Sequence, residues 1–117
     1  MDADVTIYHN PRCSKSRQTL QLLREQGVEP KIIEYLKTPP DEAALARILG
    51  QLGISAHELT RTGESLYKEL GLDKTSPSDA QMLRLLVENP KLIERPIVVT
   101  SQGAAIGRPP ENVLRLL

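Results

Sequence analysis

Phenylalanine and tryptophan are absent from this chain of 117 residues, and tyrosine occurs only three times. Without aromatic faces for bases to stack on, a platform for single-stranded nucleic acid is not expected. Neither sign of charge is in excess, with 15 Lys and Arg against 15 Asp and Glu. Such a balance provides no broad field for nucleic acid or a membrane surface, although a local basic pocket is compatible with it. No apolar run approaches the roughly 20 residues that cross a bilayer, and the N-terminus lacks the pattern of a secretory signal. Cysteine occurs once, so no internal disulfide can form and a reducing compartment is expected. These absences predict a cytoplasmic protein with no nucleic-acid or membrane partner. The length suits one domain with a core of its own.

What is present is concentrated in one stretch, Ile7-Tyr8-His9-Asn10-Pro11-Arg12-Cys13-Ser14-Lys15-Ser16-Arg17. Val5 and Ile7 alternate with polar neighbours as in a half-buried strand. Asn10-Pro11 breaks that strand, because proline brings no N–H to a ladder and restricts the residue before it. From Ser14 to about Gln26 the pattern is helical, with Leu20 and Leu23 inward and Gly27 as a stop. Cys13 therefore falls at the N-cap, where unpaired backbone N–H groups and the helix dipole favour a thiolate. His9, Arg12, Lys15 and Arg17 add donors or positive charge nearby. A lone cysteine is most often a small buried apolar residue. Its flanks argue otherwise, since only Pro11 and Cys13 itself are apolar between Tyr8 and Leu20.

Further along, Lys31–Leu36 reads as a second strand between Pro30 and Pro39-Pro40, so the first two strands and their helix predict a parallel βαβ unit. Asp41 caps an amphipathic helix with Leu45, Ile48, Leu49 and Leu52 on one face and Gly53 at its end. Shorter helical pieces follow, two of them opened by capping boxes, Ser55-Ala56-His57-Glu58 and Ser78-Asp79-Ala80-Gln81. His57 reads as a surface helix residue. Pro96–Thr100 and Ala104–Ile106 form a predicted antiparallel hairpin across Ser101-Gln102-Gly103, and a proline-started helix with Val113, Leu114 and Leu117 closes the chain. The order βαβ, helices, ββα predicts an α/β fold, a thioredoxin-like mixed sheet with an inserted helical region. The thioredoxin-like parts are expected at about 1–40 and 91–117, and the insertion at about 41–90.

Arg24, Arg47, Arg84 and Arg115 lie within predicted helices among polar residues and are most simply solvated. Arg61, Arg95 and Arg108 stand instead at element ends beside Gly or Pro, where functional residues collect. A cysteine with several arginines suits attack on a tetrahedral oxyanion. The phosphatase signature, with Arg six residues after Cys in one loop, is excluded because that position is Thr19. A dithiol oxidoreductase is excluded because Cys13-Ser14-Lys15-Ser16 has one thiol, not two.

The stretch around Cys13, together with Glu58-Leu59-Thr60-Arg61, Glu94-Arg95-Pro96-Ile97-Val98-Val99 and Gly107-Arg108-Pro109, resembles the glutaredoxin-coupled arsenate reductase family, in its short stand-alone branch. The resemblance runs the length of the chain in the same order. It implies a thioredoxin-like fold with an inserted helical part and a cis bond before Pro96. It also implies Cys13 as nucleophile, His9 as the residue that tunes it, and Arg61, Arg95 and Arg108 as oxyanion-binding residues. The expected reaction is reduction of arsenate to arsenite through a thiolate–arsenate intermediate. One thiol supplies one electron of the two required, so glutathione is expected as co-substrate and glutaredoxin as partner, with no bound cofactor and no metal. Two alternatives share the fold: a non-catalytic Spx-like regulator of RNA polymerase, and a glutathione-linked thiol redox protein.

Overall fold

Val5 and Ile7, two apart on an extended segment, turn to the same side and both are buried. A computed structural model describing residues 5–117 shows what covers them. The chain forms two compact units, one comprising the chain up to Thr38 together with Arg95–Leu117, the other Pro39–Glu94. Residues 1–4, the start of the first predicted part, lie outside the described residues. Among the described residues no helix is long and apolar enough to cross a membrane.

The first unit contains β1 (Thr6–His9), α1 (Ser14–Glu25), β2 (Lys31–Glu34), β3 (Ile97–Thr100), β4 (Gly103–Ile106) and a 3-10 helix, Pro110–Leu116. The sheet order is β2-β1-β3-β4. β1 and β2 are parallel, as a helical crossover requires, and β3 is antiparallel to both β1 and β4. Ile7 faces Val98, which faces Ala105, giving one buried row across three strands. Leu20 and Leu23 of α1 and Val113 and Leu116 of the C-terminal helix join the same core cluster. Each large side chain so buried contributes about 1.5–3 kcal/mol before entropy is counted. This is a thioredoxin-like mixed α/β sheet.

The second unit is helical: α2 (Glu42–Leu52), α3 (Ala56–Leu59), α4 (Ser65–Glu69), α5 (Asp79–Glu88) and a 3-10 turn, Pro90–Leu92. Asp41 caps α2 by accepting from the Ala44 N–H, and both capping boxes form. Gly53 ends α2 with φ of 69°, a left-handed conformation that glycine adopts without a Cβ clash. Its buried side chains include Leu45, Ile48, Ala56, Leu59, Met82, Leu86 and Leu92. His57 is exposed on α3, as predicted, its Nε2 2.9 Å from the Pro77 carbonyl.

Two elements differ from their sequence patterns. β2 stops at Glu34, because Tyr35–Lys37 turn to bury Tyr35. The last helix winds as 3-10. Arg115 is exposed, as expected, and its Nη2 also donates to the Ala104 carbonyl at 3.2 Å. The peptide bond before Pro96 is cis, and so is that between Arg108 and Pro109.

Close packing between α1 and the end of β4 depends on Gly107. A Cβ there would lie 2.5 Å from Thr19 Oγ1 and 2.8 Å from Pro96 Cγ. Thr19 cannot yield easily, being fully buried with its hydroxyl bound to the Lys15 carbonyl at 2.8 Å. Gly107→Ala is therefore expected to destabilise the chain by roughly 1–3 kcal/mol, the usual range for overpacking. Urea unfolding measures this, and an unchanged midpoint would show that the neighbours move aside.

Candidate active site

Strand register brings the site together. Tyr8 pairs with Ile97 and Ile97 with Ile106. The end of β1, the start of β3 and the end of β4 consequently share one end of the sheet. His9, Arg95 and Arg108 lie within three residues of those paired positions, and the loop carrying Cys13 leaves from the same end. In α/β sheets this C-terminal end of the parallel strands is the usual place for a site.

The loop itself is a tight turn. The Cys13 N–H donates to the Asn10 carbonyl and the Arg12 N–H to Asn10 Oδ1, both at 3.0 Å. Pro11 occupies the turn where no donor is required. Arg17 Nη1 donates to the Pro11 carbonyl at 2.9 Å and ties the turn to α1. Cys13 is left at the N-cap of α1 in an extended conformation, partly exposed.

Burial opposes ionisation of the Cys13 thiol and is the largest single influence on it, yet its pKa lies below the ordinary value. The backbone N–H of Ser16, the Arg95 guanidinium and the backbone N–H of Lys15 together outweigh burial by hydrogen bonding to the thiolate, and the charge of Arg95 adds to them. Arg108 completes the setting. Its Nε donates to the Arg95 carbonyl at 2.8 Å while Nη2 lies 3.6 Å from Cys13 Sγ. One prong of the fork thus fixes the other against sulfur. Two guanidinium groups face one thiolate, so an anion can approach the sulfur without net repulsion.

His9 is placed differently from a direct cationic partner of the thiolate. It is buried, and its Nδ1 lies 2.6 Å from Ser16 Oγ, which also accepts from the Asn10 N–H at 3.0 Å. Burial lowers the His9 pKa, Glu34 opposes this, and Arg24 and Arg17 add to the lowering. The neutral ring is favoured. With the Asn10 N–H already occupying one acceptor site of Ser16, the serine hydroxyl is free to donate to Nδ1 of that neutral ring. His9 therefore reaches Cys13 through Ser16, whose side chain it holds and whose N–H faces the sulfur.

Arg61 belongs to the helical unit. Its N–H donates to the Leu92 carbonyl at 2.7 Å and Nε lies 3.6 Å from Glu94 Oε1. Nη1 is a buried donor without an acceptor among the described residues. Thr60, which precedes it, bridges Ile93, so the backbone that carries Arg61 is pinned to the end of the helical unit.

Sequence patterns missed Ser16. A signal for it exists, since Ser16, Thr19, Leu20 and Leu23 form one buried helical stripe, and a serine in such a stripe needs a polar partner. The depressed thiol pKa has a direct test. Iodoacetamide alkylation of Cys13 is expected to reach its midpoint below the free-cysteine value of about 8.5. Because the folded state favours the anion, mild unfolding in urea should move that midpoint upward. A native midpoint at or above the free value would exclude thiolate stabilisation by the helix end and Arg95.

The chain is similar to known proteins along its whole length. The chain is 56% identical over 118 residues to the Escherichia coli K12 protein named "Uncharacterized protein YfgD", covering 100% of this chain and 99% of that one. It is 46% identical over 115 residues to an arsenate reductase of Neisseria meningitidis serogroup B, covering 97% and 98%. The solved structure of an arsenate reductase from Vibrio cholerae superposes with a TM-score of 0.92 at 51% identity, covering 97% of each chain. A sequence model described as the ArsC family matches residues 8–116, from the first strand to the final helical turn, and this chain belongs to that family.

Proposed function

We propose that the chain is an arsenate reductase with Cys13 as its nucleophile and glutathione and glutaredoxin as its source of electrons. The observation that carries this is the pair of arginines on one sulfur, Arg108 at 3.6 Å and Arg95 hydrogen-bonded to the thiolate. A regulator has no need to place guanidinium groups on a thiolate. An oxyanion reductase does, because the same groups that hold the thiolate can accept the oxygens of the incoming anion.

Arsenate binds through its oxygens to Arg95 and Arg108. The Cys13 thiolate attacks arsenic, an As–S bond forms, and one oxygen leaves as water after taking up protons. Glutathione then bonds to the same arsenic through its sulfur, and a second oxygen leaves as water. Glutaredoxin attacks the glutathione sulfur, a disulfide forms between the two external thiols, and the electron pair of the broken bond remains on arsenic. A water oxygen then bonds to arsenic as the bond to the Cys13 sulfur breaks, so that arsenite is released and Cys13 returns as a thiolate. The sum is one arsenate and two thiols giving one arsenite, one disulfide and one water. Two electrons pass from sulfur to arsenic, and the scheme calls for no bound cofactor. Such thiol chemistry belongs in the reducing cytoplasm. His9 acts as a positioning residue through Ser16.

Cys13→Ser is expected to abolish turnover while the fold survives, because serine can cap the helix start. Retained turnover would remove Cys13 as nucleophile. Arg95→Ala deletes a charge-assisted contact of about 1.5–3 kcal/mol, a ten- to hundredfold loss in kcat/KM on the order of magnitude expected for such a contact. Arg95→Lys should also be impaired, since an ammonium cannot make a two-pronged contact. Arg84→Ala is the control, its side chain 71% exposed and only loosely paired with Glu42 at 3.8 Å. Equal arsenate turnover by Arg95→Ala and Arg84→Ala, with glutathione and glutaredoxin supplied, would overturn the site assignment.

A further inference from the structure

On the face of α1 that carries Arg17, a cavity of about 440 Å³ is lined by His9, Pro11, Arg17, Leu20, Gln21 and Arg24. Residues 17, 20, 21 and 24 have the spacing of a single helical stripe, so Arg17 and Arg24 stand about two helical turns apart with the apolar Leu20 between them on the stripe. Both groups are steadied at their rear. Arg17 spends Nη1 on the Pro11 carbonyl, and Arg24 spends Nε and Nη2 on Glu29. Arg17 Nε and Nη2 and Arg24 Nη1 take no part in those contacts. His9 is nine-tenths buried and lines the same space. Its Nδ1 is committed to Ser16, which leaves Nε2 as the ring nitrogen outside that pair. Three donor groups thus border one partly apolar cavity.

We propose that this cavity is a second anion site, distinct from the Cys13 site, which takes a small organic carboxylate with its charge toward Arg17, Arg24 and His9 and its apolar end toward Leu20 and Pro11. Carboxylate oxygens match guanidinium forks, and a short alkyl chain suits the apolar wall better than water does. The ligand touches the turn that presents Cys13, because Pro11 and Arg17 belong to both. The groups acting electrostatically on His9 are Arg17 and Arg24 from α1 and Glu34 from β2. Ser16 bonds it from the start of α1. Arg24 is in turn paired with Glu29. An anion among these groups offsets the arginine charges that disfavour the imidazolium. Binding must then strengthen as His9 gains its proton, and the bound anion must raise the His9 midpoint by the same linkage.

The experiment needs neither arsenate nor turnover. The imidazole signals of the full chain are followed by NMR through the histidine range with sodium butyrate, with neutral butyramide and with sodium phosphate. Exposed His57 serves as the internal reference, and His9→Gln identifies the His9 signal. Butyrate should raise the His9 midpoint saturably and leave His57 unmoved, and butyramide should do nothing. Arg24→Gln should weaken the apparent affinity about tenfold, the loss of one charged contact. No saturable shift with butyrate would overturn the site. The same shift in Arg24→Gln as in the parent chain would assign the anion to the Cys13 arginines and overturn it equally. A shift with phosphate and none with butyrate would overturn the carboxylate assignment.

Discussion

The negative charge on the Cys13 sulfur is the constraint around which this unit is built. A partly buried thiol resists ionisation, so every stabilising donor has to be in place beforehand. The first turn of α1 provides two backbone N–H groups, which cannot move without unwinding the helix. Arg95 and Arg108 provide the side-chain share, and Arg108 is held by the Arg95 carbonyl instead of by solvent. Preorganised donors of this kind lose little on reaction because they need not reorient as charge develops.

Holding those donors places demands on parts of the chain that touch no sulfur. The β3–β4 register determines that Arg95 and Arg108 meet, since Ile97 faces Ile106. Gly107 lets the end of β4 approach Thr19 closely enough for Arg108 to reach across. Asn10 shapes the turn twice, through its carbonyl and through its side chain, and its N–H orients Ser16 as well. The helical unit is stabilised locally by its caps and its own apolar side chains, and it carries Arg61 in a segment pinned to Leu92 and Ile93.

His9 illustrates how environment changes a role. Near a cysteine, histidine suggests a cation that holds a thiolate. Here burial and two arginines favour its neutral form, while its hydrogen bond goes to a serine. A neutral ring in this position stiffens the turn and keeps Ser16 oriented. The charge on the thiolate is balanced elsewhere, by the arginines and the helix end.

Local chemistry in the sequence was enough for much of this. Proline after Asn10, the cap residues Asp41, Ser55 and Ser78, the glycine stops and the two hydrophobic periods specify where elements begin and end, because each acts on backbone within a few residues. They also specify that Cys13 opens a helix, and hence that its sulfur meets unpaired N–H groups. Tertiary structure alone decided the rest. Arg95 lies 82 positions from Cys13 and Arg108 lies 95, and only strand pairing brings such distant residues to one sulfur. Ser16 looks like an ordinary polar residue in the sequence, and its importance appears only when packing buries it between His9 and Asn10. The 3-10 winding of the last helix and the anchoring of Arg115 on β4 have the same origin. They are set by what lies across the fold, which no local pattern of residues contains.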